Sequence, residues 1–488
     1  MDKSKFGLIT LLLCFFGIFS SCEEESQITT SLITEEVIYL SGERARILGR
    51  IITNQNVEAS DHGFYLSESE SFSQPIVISL GERVAPGRFI GETSELDIQK
   101  KYFVKSFISL PDGIQFGNVL EVTTLSPDVD SFSPQNGPVG TTINIKGKNF
   151  TSDTRVFVGD REAQVIRIDF ESSITAIIPA SGTVALEEVK VVVQNQEILF
   201  DDKFEYTTGK FTQLADFPFP ARISENIYFQ DNSGFYFGLG SEGSRFLNPT
   251  IWKYNLSNNQ WATIPFSGAP LWRAFSTPKY FGGGASAITL VPYIPSFDFW
   301  KIENGNFNKL PDLSFQAINS ISFELNDKLY VFGGSVGTGN ESYVYTANTG
   351  QWRKIANTPF PMNNTMANFN FERKGYVINP ENREIYLFDS DTDTWSYFGI
   401  FPGELGGGSA LGITVGNKVF VGLANRSLQI WELNMETNGW VKKNNFTGSP
   451  IARNIATFVD NGLIYFIRNG EMQGFGSMEF WVFDPQAL

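Results

Sequence analysis

Six aromatic residues punctuate the C-terminal half of the chain at nearly constant spacing. They are Phe211, Trp261, Phe307, Trp352, Trp395 and Trp440, separated by 50, 46, 45, 43 and 45 residues. Each opens a short apolar stretch that runs into a turn, as in "QWATIPFSGAP" and "QWRKIANTPFP". About 14 residues further on a strand pattern begins ("SISFEL", "ANFNFE", "ALGITV", "NIATFV"), and about 23 residues on comes a second ("GFYFGLG", "ASAITLV", "KLYVFGG", "KVFVGLA"). A third ("TIWKYNL", "SYVYTAN", "LQIWELN", "EFWVFDP") precedes the next aromatic. No run is long enough for a helix bundle. The 45 Phe and 45 Gly suit short strands, glycine turns and aromatic cores.

Four strands per repeat of about 45 residues is the beat of a β-propeller blade. "KLYVFGG…SYVYTANTGQW" resembles a kelch repeat, although the other repeats lack its full "VFGG". The sixth repeat has a third strand, "EFWVFDP", but no fourth, whereas "KFTQLAD" precedes the first repeat with no sheet of its own. Pairing the two would complete a sixth sheet and remove two open edges. The expectation is therefore an all-β chain ending in a six-bladed kelch-like β-propeller over 209–488, its last blade composite.

Two smaller units precede it. Residues 30–125 alternate apolar and polar side chains, as in "RARILGRIIT", and their strand order resembles a fibronectin type III-like β-sandwich. Residues 126–208 begin "SPDVDSFSPQNGPVGTTINIKGKNF", where Pro134, Gly137, Pro138, Gly140, Gly147 and Phe150 match the opening of IPT/TIG immunoglobulin-like domains. The fold class is thus two tandem immunoglobulin-like β-sandwiches, a stalk of roughly 70–80 Å, followed by the propeller.

The first 21 residues read as a secretory signal: Lys3 and Lys5, then the 15 residues "FGLITLLLCFFGIFS", too few to span a bilayer. Ser20 and Ser21 lead into Cys22, which resembles a bacterial lipobox with lipidation expected at Cys22. The acidic segment that follows, within residues 22–29, resembles the export tag of Bacteroidota surface lipoproteins. The resemblance implies an outer-membrane lipid anchor facing the cell exterior, with membrane contact through lipid alone.

Charge and residue counts narrow the chemistry. A net charge of −16 without a basic stripe argues against nucleic acid as a partner. The single histidine, His62, rules out a multi-histidine zinc centre. Its position beside a probable strand favours a structural role over a Ser-His-Asp triad. Cys14 lies in the signal and Cys22 is the expected lipid site, so no disulfide is expected. Copper oxidases of the galactose oxidase type need two histidines and a cysteine-linked tyrosine, which this chain cannot supply. No metal or cofactor is expected.

Loops that join a fourth strand to the next first strand cluster around a propeller's central channel. Here "FPFPARIS", "SGAPLWRAF" and "TGSPIARNI" carry Arg222, Arg273 and Arg453, from neighbouring blades. Gln316, Asn363 and Asn364, and Gly406 to Gly408 hold the corresponding places elsewhere. Three converging guanidiniums could grip a carboxylate or sulfate; alternatively each supports its neighbouring loops, as Pro-x-x-Arg does in kelch repeats. Trp272 lies off the aromatic beat beside Arg273, and Tyr293 sits in "PYIPSFDFW", so both are candidates for stacking on a sugar ring. The candidate ligand-binding set is Arg222, Trp272, Arg273, Arg453, Tyr293 and Asn363. Trp261, Trp352, Trp395 and Trp440 are expected as wedges between blades.

The expected function is ligand capture rather than catalysis. A glycan comes first, because the resemblance implies pairing with a TonB-linked polysaccharide importer. A protein partner or adhesion scaffold is the alternative, and a sugar-isomerase type kelch enzyme a third reading.

Overall fold

A computed structural model describes residues 30–243, 246–288, 293–334, 339–470 and 478–488; Cys22 and the leader lie outside them. The described residues are all β, and none forms a helix long and apolar enough to cross a membrane.

The first unit packs a three-stranded sheet (Ser31–Leu40, Ala45–Ile52, Gly87–Thr93) against a four-stranded one (Ile76–Ser79, Asp61–Ser67, Lys101–Leu110, Gly113–Thr123). The alternation read in "RARILGRIIT" is real: Ala45, Ile47 and Ile51 point into the core with Phe64, Val104 and Ile108. His62 is 5% exposed, its Nδ1 2.8 Å from the Gly81 carbonyl oxygen and its ring edge-on to Phe89.

The second unit, Asp128 to Tyr206, is an eight-stranded arrangement around Ile143, Ile145, Phe150, Val156, Val191 and Phe204. A side chain at Gly147 would meet the Asp128 carbonyl oxygen at 2.3 Å and the Phe150 ring at 2.5 Å, which explains why these two residues occur together. The two units are hydrogen-bonded to each other. Ile98 N donates to Gln194 Oε1 (2.7 Å), and Ser152 donates through N and Oγ to the Glu43 carboxylate (2.8 and 2.9 Å).

Beyond Gly209 lie six four-stranded antiparallel sheets. Their first strands are Ile227–Asp231, Phe275–Ser276, Ile321–Leu325, Asn368–Phe371, Leu411–Val415 and Ala452–Asp460. First strands touch between the first and second, second and third, fourth and fifth, and fifth and sixth sheets; the third sheet's meets the second strand of the fourth, and the sixth touches the first. The sixth sheet is composite. Lys210–Gln213 pairs antiparallel with Glu479–Asp484, Phe211 opposite Phe483.

The aromatic beat becomes the packing between sheets. Each of the six residues lies on its sheet's fourth strand and meets a ring of the preceding sheet or its exit loop. Trp352 lies 5.2 Å from Phe299, Trp395 5.1 Å from Phe332, and Trp440 5.2 Å from Phe401. Trp261 meets Phe480 at 5.4 Å, Phe307 meets Phe229 at 6.1 Å, and Phe211 meets Phe446 at 5.1 Å. Edge-to-face and tilted aromatic pairs of this kind add about 0.5–1.5 kcal/mol each beyond the area they bury.

The second sheet departs from the sequence reading. Its second strand is Tyr280–Gly282, ahead of the expected "ASAITLV", of which residues 289–291 lie outside the described residues. Gly283 and Gly284, at φ 64° and 75°, turn the chain out of extended conformation, and Ala285 then pairs with Trp272 and Pro295 instead.

Candidate binding channel

The loops entering the first strands are tied sheet to sheet. Arg273 N donates to Glu225 O (3.0 Å), Asn319 N to Arg273 O (2.8 Å), Asn364 N to Asn319 O (2.9 Å), and Ser409 N to Thr365 O (2.8 Å). Side chains make the last two links: Asn454 Nδ2 donates to Ser409 O (2.9 Å), and Asn226 Nδ2 to Ile455 O (3.0 Å). These bonds visit all six sheets and return to the first. Four of the positions (Glu225, Arg273, Asn319 and Ser409) hold φ between 52° and 63°, each two residues before its first strand. Left-handed backbone at a non-glycine residue costs of order 1–3 kcal/mol and persists where surrounding bonds fix it.

Inside this belt is a channel of about 140 Å³ lined by all six sheets. Its lining is mainly hydroxyl and amide: Ser276, Ser322, Asn364, Thr365, Asn368 and Thr457 are typical. The lining includes two charged residues, Glu225 and Arg453. Tyr228 projects from the first strand of the first sheet with 42% of its surface open, edge-on to Phe458. Burial among the six sheets raises its phenol above the ordinary value.

The three arginines part company here. Arg273 forms an ion pair with Glu225 through Nε, with a second bond from Nη2 to Oε1 at 3.0 Å. Its Nη1 donates to Tyr293 Oη at 2.7 Å, and its guanidinium lies 4.3 Å from the Trp272 ring. Arg222 donates to Asn469 Oδ1 and the Gly470 carbonyl. Arg453, by contrast, lines the channel and is exposed, and its side chain has no hydrogen-bond or ion-pair partner among the described residues.

Trp272 is 7% exposed, packed on Ala285, Ile318 and Tyr293, and does not line the channel. Tyr293 packs edge-on to it at 5.5 Å. Asn363 shapes its own loop, its Oδ1 accepting from Thr365 N (3.0 Å) and Oγ1 (2.6 Å), while the adjacent Asn364 faces the channel. Of the six sequence candidates, the channel therefore receives Arg453. Tyr228 was missed. Its signal was present in "NIYFQD", where alternation sets Tyr228 opposite to the buried Ile227 and Phe229. No group of three or more His, Cys, Asp or Glu residues among those described could hold a metal ion.

A family model described as the IPT/TIG domain matches residues 127–207, so the second unit carries an IPT/TIG domain. No curated protein matches the chain. Among solved structures with some likeness, "Structure of YjhT" is 16% identical with a TM-score of 0.43, covering 53% of this chain and 93% of that one. A structural genomics protein of unknown function from Bacteroides thetaiotaomicron VPI-5482 is 15% identical with a TM-score of 0.27, covering 73% of this chain and 85% of that one. Likeness at these scores carries no argument about this chain.

Proposed function

We propose that residues 209–488 form a closed six-bladed propeller of kelch type that captures a glycan in its central channel. The closure is supported by the belt of hydrogen bonds that returns from Ile455 to Asn226, and by the strand Lys210–Gln213 completing the sixth sheet. Carbohydrate is favoured by one observation above all: a channel lined with hydroxyl and amide groups from six sheets, into which Tyr228 opens an aromatic face. Sugar rings stack their C–H faces on such a ring while neighbouring polar groups bond their hydroxyls.

The test is titration of the full chain, solubilised in detergent, with a panel of neutral and acidic oligosaccharides. Binding that Tyr228→Ala weakens at least tenfold supports the reading; silence across the panel overturns it.

We propose further that the chain is held at the outer surface of the outer membrane by lipid on Cys22, the two sandwiches acting as a stalk. The support is the sequence around Cys22, "SSCEEES". Metabolic labelling with radioactive palmitate should mark the wild-type chain and fail to mark Cys22→Ala. Labelling that persists in the variant would refute the anchor.

A further inference from the structure

We infer that the channel holds one oxyanion, the carboxylate or sulfate of an acidic sugar, on the Arg453 guanidinium; this rests on the channel being the saccharide site. Glu225 and Arg453 are the charged residues of the lining, and Glu225 is already engaged by the Arg273 fork. Among the described residues the channel lining therefore carries one uncompensated positive charge, inside a chain whose net charge is −16.

Arg222 and Arg273 are committed to Asn469, Gly470, Glu225 and Tyr293, and do not converge with Arg453 on a common ligand. Arg453 is different: it lines the channel, is exposed, and its side chain has no protein acceptor among the described residues. A guanidinium pairs with a carboxylate or sulfate through two parallel N–H···O bonds, and such charge-assisted bonds are about twice as strong as neutral ones. One such group per ligand unit is matched. A densely charged polymer would meet the acidic exterior with a single compensating charge.

The experiment titrates the full chain with tetragalacturonate, with its fully methyl-esterified and therefore neutral counterpart, and with a sulfated galactose tetramer. The expected result is that at least one anionic tetramer binds tenfold or more tighter than the neutral one. That preference should shrink as salt is raised, and Arg453→Gln should abolish it without moving the melting temperature. The carboxylate and sulfate arms then identify the oxyanion. If the methyl ester binds as tightly as the acids and Tyr228→Ala removes that binding, the oxyanion inference falls and the saccharide channel stands. Binding of the acids that is indifferent to Arg453→Gln also overturns it. If no tetramer binds, both readings fall.

Discussion

Phe211 stacks on Phe483 with ring centroids 4.4 Å apart and planes inclined by 23°, joining the strand that opens the C-terminal half to the strand that closes it. The pair packs with Phe420, Phe446, Phe466 and Trp481, so the junction is a buried aromatic core rather than an edge contact. Truncating a buried Phe to Ala costs about 3–5 kcal/mol, the lost transfer energy plus the cavity left behind. Phe211→Ala should lower stability by that amount, and deletion of residues 210–216 should lower it further by exposing an edge of the sixth sheet. Calorimetric unfolding checks both; an unchanged C-terminal transition would show that this strand is dispensable.

Arg273 serves as a tie between the first two sheets. Removing it leaves Glu225 with a carboxylate that has lost its ion pair, and strips the cation from the Trp272 and Tyr293 rings. Hydrogen bonds to charged groups contribute about 1.5–3 kcal/mol, so Arg273→Ala should destabilise by about that much. Arg273→Lys should recover little, because an ammonium cannot reproduce the two-pronged geometry. Urea titration of the two variants gives the comparison, and equal stability of Lys and Arg forms would contradict it.

For Trp272 the expectation set by its position in an entering loop is turned around by its burial. Trp272→Ala should cost about 3–5 kcal/mol and leave saccharide affinity unchanged when measured well below its lowered melting temperature. A stable variant with weakened binding would mean the ring reaches ligand after all.

Much of this fold is written in local pattern. The beat from Phe211 to Trp440 fixed the repeat because each wedge must occur once per sheet, and the count of third strands left "KFTQLAD" as the partner for "EFWVFDP". The Ala45–Ile52 alternation and the Gly147–Phe150 contact are equally local. What escaped depends on partners distant in the chain. Arg273 and Arg453 follow similar Pro-containing turns, yet Arg273 finds Glu225 in the preceding sheet, 48 residues away, and Arg453 finds no carboxylate among the described residues. The stretch after Gly282 has the apolar content of a strand, yet its Ala285 and Ile288 pack on Trp272 rather than within the sheet. Only spacing across the sheets, not composition, separates these cases.

The joint between the second sandwich and the sheets should respond to acid. Lys443 Nζ donates to Thr208 Oγ1 (2.6 Å) and lies 2.9 Å from the Glu432 carboxylate, which also pairs with Lys418. Burial alone would raise the Glu432 carboxyl, but hydrogen bonds from Lys418 and Lys443 outweigh it and hold the group below its ordinary 4.5. A carboxyl depressed in the folded state contributes stability that is fully present above its unfolded value and is lost as pH falls through the folded value. Stability should therefore drop below about pH 4.5, and Glu432→Gln should flatten that part of the profile while being less stable at neutral pH. A profile in the variant as steep as in the wild type would remove Glu432 from the account.

Closure through the first and last strands is tested most directly by a crosslink. Thr212 and Val482 are directly opposed in the antiparallel pair, where facing Cβ atoms lie about 4.5–5.5 Å apart. With both replaced by cysteine, mild oxidation should join them quantitatively in the folded protein and raise its stability by about 2–4 kcal/mol. Two thiols that stay free and reactive under those conditions, with the protein still folded, would mean that these strands do not meet and that the channel has no sixth wall of this construction.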